Sequence, residues 1–506
     1  MDAPLLRDRK PTLTADALYQ GAIALVTLLA MWWLSVRVAS SGGSTAVVML
    51  ELVAAGSLAI ANGGNDIANA VGTSVGAGAL TVEQALGFGS LFEFAGAMLL
   101  GSLVSKTISK GVIEPREFAD EPEIFAALMF STVVGAALTT LLATVYGYPI
   151  SATHGIVGGL VAVGWMARGW GCVGWGSLAF TCVMWILSPI AGMLASYILQ
   201  LLCYRITQLD LESGMNSLII PMLWTATLTV TCLFLFLTGP EAVRITPTST
   251  AVVASTAAGI ALTLLRYSIL YINSLIYPKP ATQAESEPLN ASGWREDGGS
   301  SMAVVPGEGG GMEPPRGNGV HVWGKNEKPF VGLLVLSALT VAFAHGANDV
   351  GNAVGPLAVM MEIFTASVVK DEPDVPMWCL VIGALGFVVG IVTLGKNTIE
   401  TVGNRIIELT PSLSYSTQMG AALAVLLSSV LGMPVSTSHC LVGSVIGVGL
   451  AQSSIAMCTH EEAPKINFGI INKIILGWIV TIPLAMVVSA IAFVAARPFA
   501  KSFVSS

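Results

Sequence analysis

Apolar residues fall into thirteen runs along the 506-residue chain, most of them near the ~20 residues that carry a helix across a bilayer. Eight come first, at roughly 21–39, 47–62, 84–104, 124–145, 150–166, 175–202, 218–238 and 251–272. Five more follow a polar gap, at roughly 330–358, 377–394, 419–431, 435–450 and 471–496. The pattern predicts an all-α polytopic membrane protein with about 11–13 membrane segments.

The polar gap, 273–328, is rich in Gly, Pro, Ser and Glu and includes Glu308-Gly-Gly-Gly-Met-Glu-Pro-Pro-Arg-Gly. Such a segment cannot bury a core and reads as a flexible linker. It divides the chain into a tail with an extra helix (1–45), a first membrane half (46–272), the linker (273–328) and a second half (329–506). The linker is expected in the cytosol, so its sequon Asn290-Ala-Ser is expected to go unused. Arg7, Arg9 and Lys10 precede the first run, which admits a signal peptide. That run holds Trp32 and Trp33 and lacks a clear cleavage site behind it, so an uncleaved helix with a cytosolic N-terminus is preferred.

Composition agrees with the pattern. Apolar residues make up 54%, charged residues only 11%, and the mean hydropathy is +0.76. A soluble domain carries about 25% charged residues, so a soluble enzyme or secreted scaffold is excluded. The net charge of −8 argues against nucleic acid as a partner. The seven Cys are scattered without a CxxC pair and read as small buried hydrophobes.

The two halves are related. Gly63-Gly-Asn-Asp-Ile-Ala-Asn-Ala-Val-Gly is matched by Gly346-Ala-Asn-Asp-Val-Gly-Asn-Ala-Val-Gly, with seven of ten positions identical. Pro149-Ile-Ser-Ala-Thr-His is matched by Pro434-Val-Ser-Thr-Ser-His. Asp66 to Ser151 is 85 residues and Asp349 to Ser436 is 87. Seven runs lie between the repeat starts, and an odd number predicts inverted repeats with discontinuous helices. A re-entrant 150–166 segment would change that count.

The motifs place polar chemistry at membrane depth. An intramembrane Asp is costly unless paired or hydrated, and is functional by default. Asp66/Asn69 and Asp349/Asn352 each lie one turn apart on one helix face. With Asn65 and Asn348 they offer carboxylate and amide oxygens suited to Na⁺ at Asp66 and Asp349; the flanking glycines allow the helix to break there. The competing reading is a polar network that only locks helices together. The Pro-x-Ser motif starts a helix, whose N-terminus, with Ser151, Thr153, Ser436 and Ser438, is a ready anion site. Its bland alternative is a proline kink. His154, His345 and His439 lie in or beside these motifs, either as satisfied hydrogen-bonders or in contact with substrate or a proton.

Two carboxylates repel an anion unless cations occupy the sites, which makes anion binding depend on cation binding. A phosphate P–OH can donate to an ionised Asp, whereas sulfate has no proton to give. An intramembrane aspartyl protease would need Tyr-Asp and Gly-x-Gly-Asp contexts that do not occur here. A channel would not need coupled sites, and a receptor would not need so many buried polar groups.

The duplicated Gly-x-Asn-Asp-x-x-Asn-Ala-x-Gly and Pro-[Ile/Val]-Ser-x-[Thr/Ser]-His motifs resemble those of the inorganic phosphate transporter (PiT) family, from about residue 47 onward apart from the linker. The resemblance implies an inverted-repeat transporter, not an enzyme, that carries phosphate with Na⁺ or, in some members, H⁺. It implies phosphate and cation roles for Asp66, Asn69, Ser151, Thr153, Asp349, Asn352, Ser436 and Ser438, and His345 matches a family position. Glu93 matches a glutamate typical of sodium-coupled members. A second such glutamate, sixteen residues before the motif proline, is Gln418 here. Lys106 stands where many relatives have an acid, and Glu400 is a further acid, intramembrane or at the boundary, read as an accessory candidate. The expectation is therefore a Na⁺–phosphate symporter without a cofactor, in the plasma membrane, with a homodimer as a further expectation. H⁺ coupling, or another oxyanion such as sulfate, is the alternative.

Overall fold

A computed structural model describes residues 45–146, 148–211, 214–276, 323–402, 410–460 and 468–503. The 21–39 run, residues 277–322 of the linker with its sequon, and the Glu400 side chain lie outside the described residues. Twelve α-helices make up the described chain, and eleven are long and apolar enough to cross a membrane. The first five are α1 (Thr45–Gly76), α2 (Val82–Lys110), α3 (Pro122–Val145), α4 (Ala152–Arg168) and α5 (Trp175–Thr207). Two more, α6 (Ile219–Thr238) and α7 (Thr248–Ile276), precede the linker and pack on each other. After it come α8 (Lys328–Ala366), α9 (Met377–Val402), α10 (Pro411–Val430), α11 (Thr437–Thr459) and α12 (Phe468–Ala496).

Local chemistry sets the ends. Thr81 and Gln84 form a reciprocal capping box at the start of α2, with Gln84 N–H donating to Thr81 Oγ1 (3.2 Å) and Thr81 N–H to Gln84 Oε1 (3.0 Å). Gly169, at φ +78°, stops α4 in a conformation that favours glycine. At 17 residues, α4 spans about 26 Å, short of the ~30 Å hydrocarbon core.

Helices α1 to α5 and α8 to α12 correspond in order through the duplicated motifs, and they pack by exchange. Helix α2 lies along α8, and α9 lies along α1. Helix α5 packs on α10 and α11, and α12 packs on α3 and α4. Contacts along α2 and α8 rise together in number: Gly96 meets Phe343, Gly101 meets Val350, and Gly355 meets Ile108. The same holds for α1 and α9, where Gly390 meets Ile60 and Gly395 meets Ile67. Both pairs are therefore parallel. Sequential helices joined by the short 77–81 and 367–376 turns reverse direction, so α1 and α8 run opposite ways. This fits inverted repeats.

The motif glycines do not break their helices. Both α1 and α8 continue through Gly63 and Gly346. A Cβ on Gly346 would overlap the Glu93 carbonyl of α2, and one on Gly63 would come within 2.5 Å of the Phe387 carbonyl of α9. The missing side chains are used for close helix approach, which van der Waals packing inside a bilayer rewards. The breaks fall instead between α3 and α4 and between α10 and α11, at the Pro-x-Ser segments. Helices α1, α3, α8, α10 and α11 form the buried interior, while α5, α7 and α12 present many exposed apolar residues and α6 is mostly half-buried.

Candidate functional site

The parallel α2–α8 and α1–α9 pairs bring three acids and one imidazole together in the interior. His345 of α8 places Nε2 3.2 Å from Asp349 Oδ2, one turn on, and 3.8 Å from Asp66 Oδ2 of α1. Its Nδ1 lies 3.0 Å from Glu93 Oε1 of α2. The ring stacks on Phe387 of α9 at 5.6 Å. All four polar residues are at most 2% exposed. These are ion-pair distances without hydrogen-bond alignment. If all the acids ionise, three carboxylates face one imidazolium, an excess of two negative charges (3 − 1). Buried charge in that excess is very unfavourable, so the cluster is chemically suited to cations or protons. The Asp66, His345 and Asp349 ligand atoms all lie within 4.8 Å of one another.

The two Asp motifs differ in detail. Asn69 Nδ2 donates to Asp66 Oδ1 at 2.6 Å. Its counterpart Asn352 turns across the site instead, and its Nδ2 donates to Thr153 Oγ1 of α4 at 3.4 Å. That leaves Asp349 Oδ1 and Asn352 Oδ1 buried without a hydrogen-bond partner. Two bare hard oxygens on one helix face leave the second motif with more unused acceptor capacity than the first.

The first asparagine of each motif has a different occupation. Asn65 Nδ2 donates to Thr144 Oγ1 (3.0 Å) and the Tyr148 carbonyl (3.1 Å), and its Oδ1 accepts from Ile150 N–H (3.2 Å). Asn348 repeats this: Nδ2 donates to Ser429 Oγ (3.1 Å) and the Met433 carbonyl (3.2 Å), and Oδ1 accepts from Val435 N–H (3.3 Å). Each pins the loop that leads into the next helix. Sequence reasoning missed Thr144 and Ser429, although each stands five residues before its motif proline.

Those loops present the two helix starts. Ser151 caps α4 by accepting from His154 N–H (3.3 Å), and Ser436 caps α11 by accepting from His439 N–H (3.4 Å). Thr153 Oγ1 donates to the Val435 carbonyl at 3.2 Å, so the two starts touch. Ser436 and Ser438 hydroxyls lie 2.9 Å apart. The positive ends of two helices and four hydroxyls thus sit beside the acid cluster, linked through Asn352.

Behind the caps lies a second symmetric feature, in which the two motif histidines take tryptophan partners that the sequence did not announce. His154 Nδ1 donates to the Trp478 carbonyl of α12 (3.4 Å), and His439 Nδ1 to the Trp185 carbonyl of α5 (3.3 Å). A carbonyl can only accept, which fixes both tautomers. The His rings meet edge to face at 4.7 Å and pack on Trp185 and Trp478 at 4.0 and 3.7 Å. Gln418 of α10 lies apart from the cluster: its amide donates to the Ala70 carbonyl and the Thr73 and Ser74 hydroxyls near the end of α1.

A duplicated helical bundle with buried charge beside two broken-helix starts is the architecture of a membrane transport protein, not of an enzyme. Residues 62–489 match the phosphate transporter family, and the chain belongs to that family: it is a phosphate transporter of the PiT type. A protein of Pyrococcus abyssi with a provisional phosphate permease name is 33% identical over 450 residues, covering 88% of this chain and 97% of its own. The chloroplastic inorganic phosphate transporter 2-1 of Arabidopsis thaliana is 32% identical, covering 85% of this chain and 68% of its own. A solved structure described as the sodium-dependent phosphate transporter superposes with a TM-score of 0.71 at 27% identity, over 90% of this chain and 99% of its own.

Proposed function

We propose that this chain is a Na⁺–phosphate symporter in which Asp66 and Asp349 hold the coupling cations. The observation that carries this is the meeting of both repeat acids at His345, with Glu93 adding a third carboxylate. Phosphate binds between the α4 and α11 starts, where Ser151, Thr153, Ser436 and Ser438 donate to its oxygens. Asn69 orients Asp66, while Asn352 reaches across to Thr153, and both line the space between. Asn65 and Asn348 act by holding the loops, and His154 and His439 brace the helix starts from behind. Cations neutralise the acid excess before the anion arrives, so each solute favours the other's binding. An ionised Asp accepts from the phosphate P–OH, which disfavours sulfate. The similarity to a structure described as sodium-dependent supports Na⁺ as the ion.

One observation favours a proton-coupled reading: His345, a titratable ring, stands between three carboxylates. Radiolabelled phosphate uptake in transport-deficient cells separates the two, with Na⁺ replaced by choline at two pH values and cold sulfate in excess. Na⁺ coupling predicts that uptake collapses in choline and ignores sulfate. Uptake that persists in choline and rises at low pH would replace Na⁺ by H⁺. The plasma membrane is the proposed location, which imaging of a tagged chain checks.

A further inference from the structure

Glu51 lies in the second turn of α1, fully buried, and neither carboxyl oxygen has a hydrogen-bond partner. Helix α8 starts at the linker and α1 runs against it, so this end of α1 belongs to the face opposite the linker. An acid at membrane depth is costly unless paired or hydrated, and the fold gives this one no pair. At that end α2 brings Lys106 and Lys110, α3 brings Glu123 and α8 brings Glu362. None of them forms an ion pair with Glu51: Lys110 pairs with Glu372, Glu362 pairs with Lys370, and burial alone acts on the Glu51 carboxyl. By the register that sets Gly386 against Gly56 and Ala59, Cys379 is the titratable group of α9 at this level. Tyr415 of α10 and His439, Cys440 and Cys458 of α11 lie at the helix starts or toward the linker face.

Glu51 heads a file of buried polar atoms that lack partners. Asn62, eleven residues on, stands within ~20° of the same helix face. Neither its Nδ2 nor its Oδ1 is bonded. Thr140 of α3 lies one turn before Thr144, whose hydroxyl meets the Ala61 carbonyl and the Asn65 amide. Thr140 therefore faces α1 between the Glu51 and Asn62 levels, and its Oγ1 is also unpartnered. From Glu51 the file runs inward for about 22 Å to the level of Asp66. It exists in one half only: by the motif alignment, the counterparts of Glu51 and Thr140 are Leu334 and Val425, both apolar. A metal cation needs several oxygens around it, and Glu51 stands outside the one three-ligand group found among the described residues. A single carboxyl in uncharged surroundings binds a proton instead. The hydroxyl and amide beyond it can each donate and accept, as a proton-conducting file of water requires of its lining.

We propose that Glu51 is a proton-binding site at the face opposite the linker, and that Thr140 and Asn62 line the path by which its proton reaches water between the repeats. In the arrangement described here Glu51 holds the proton as a neutral acid. The O–H bond breaks when the path or the end of α1 is hydrated, and the proton passes to water. This rests on the chain being a phosphate transporter and adds a proton to its cycle, whichever cation occupies the acids at His345.

The test uses the full-length protein in proteoliposomes with a trapped pH dye, an inward gradient of labelled phosphate and equal Na⁺ on both sides. Protons and phosphate entering are counted together. Phosphate brings its own protons equally in every variant, so any excess in wild type belongs to the protein. Glu51→Gln, neutral at every pH, is expected to lose the excess, and Thr140→Val to reduce it. If Glu51→Gln takes up no phosphate, exchange of labelled for unlabelled phosphate decides. A loaded carrier that cannot release its proton still exchanges, so exchange is expected to survive. A proton count per phosphate equal to that of wild type in Glu51→Gln or Thr140→Val would overturn the proposal. So would loss of both net uptake and exchange in a folded Glu51→Gln. If Glu51→Gln does not fold, Glu51→Leu, which copies Leu334, is measured in the same way. Replacing Na⁺ by choline on both sides tests the coupling ion separately: a wild type that runs without Na⁺ would refute the Na⁺ reading and leave the proton count at Glu51 standing.

Discussion

The α1–α9 and α2–α8 crossings are two versions of one interface. Each pairs parallel helices, and each has glycines on both sides where backbones touch: Gly63 and Gly390 in one, Gly346 and Gly96 in the other. The motif residue before the glycine is Asn62 in the first crossing and His345 in the second. The residue three before the partner glycine is Phe387 in the first and Glu93 in the second. The second crossing thus holds a buried ion pair at 3.0 Å where the first holds an amide and a phenyl ring. Duplication supplied a common frame of glycine contacts, asparagine pins and serine caps. Divergence placed the charge on one side of it, and that charge joins the two repeat acids.

The largest expected effect comes from removing an acid that both halves share. Asp66→Asn and Asp349→Asn should each reduce phosphate uptake to background with normal membrane insertion, measured by uptake alongside surface labelling. Normal uptake by either variant would remove the acids from the mechanism.

The next effect separates the two crossings. His345→Asn copies the Asn62 position and leaves Glu93 buried without its partner. Losing one member of a buried pair costs about 3–5 kcal/mol, so the unfolding midpoint should fall sharply. Glu93→Gln added to it should recover part of the loss, as a coupled pair requires. Additive losses would mean that the two side chains do not interact.

Smaller and equal effects should follow where the crossings are alike. Gly63→Ala and Gly346→Ala force a methyl group against a backbone carbonyl, and overpacking of this kind costs about 1–3 kcal/mol. Gly87→Ala, exposed and with open space around it, is the control and should be neutral or slightly stabilising. The smallest expected effect is on the caps. Ser151→Ala and Ser436→Ala should each cost about 1 kcal/mol in thermal or denaturant unfolding. A large difference between the two would show that one helix start carries a load the other does not.

The repeats were legible because membrane depth makes polar residues rare, so two copies of Asn-Asp-x-x-Asn stand out against an apolar background. The helix starts at Ser151 and Ser436 were legible too, since Pro and Ser act within one turn. What was hidden depends on partners far along the chain. Asn65 reads as an ion ligand in isolation; only the fold shows its bonds to Thr144, Tyr148 and Ile150, some eighty positions on. The motif glycines suggest a broken helix locally, whereas the fold spends them on Glu93 and Phe387 of other helices. The 150–166 run has the apolarity of a span, and its shortness as α4 follows from Gly169, which ends it.

The central claim is that the acids gathered at His345 bind cations that make phosphate binding favourable. Proteoliposomes containing the purified protein test it most directly, with an imposed inward Na⁺ gradient and labelled phosphate. The account predicts phosphate accumulation that needs Na⁺, is not replaced by choline, resists excess sulfate and is abolished by Asp349→Asn. Accumulation that is unchanged without Na⁺, or that persists in Asp349→Asn, would contradict it.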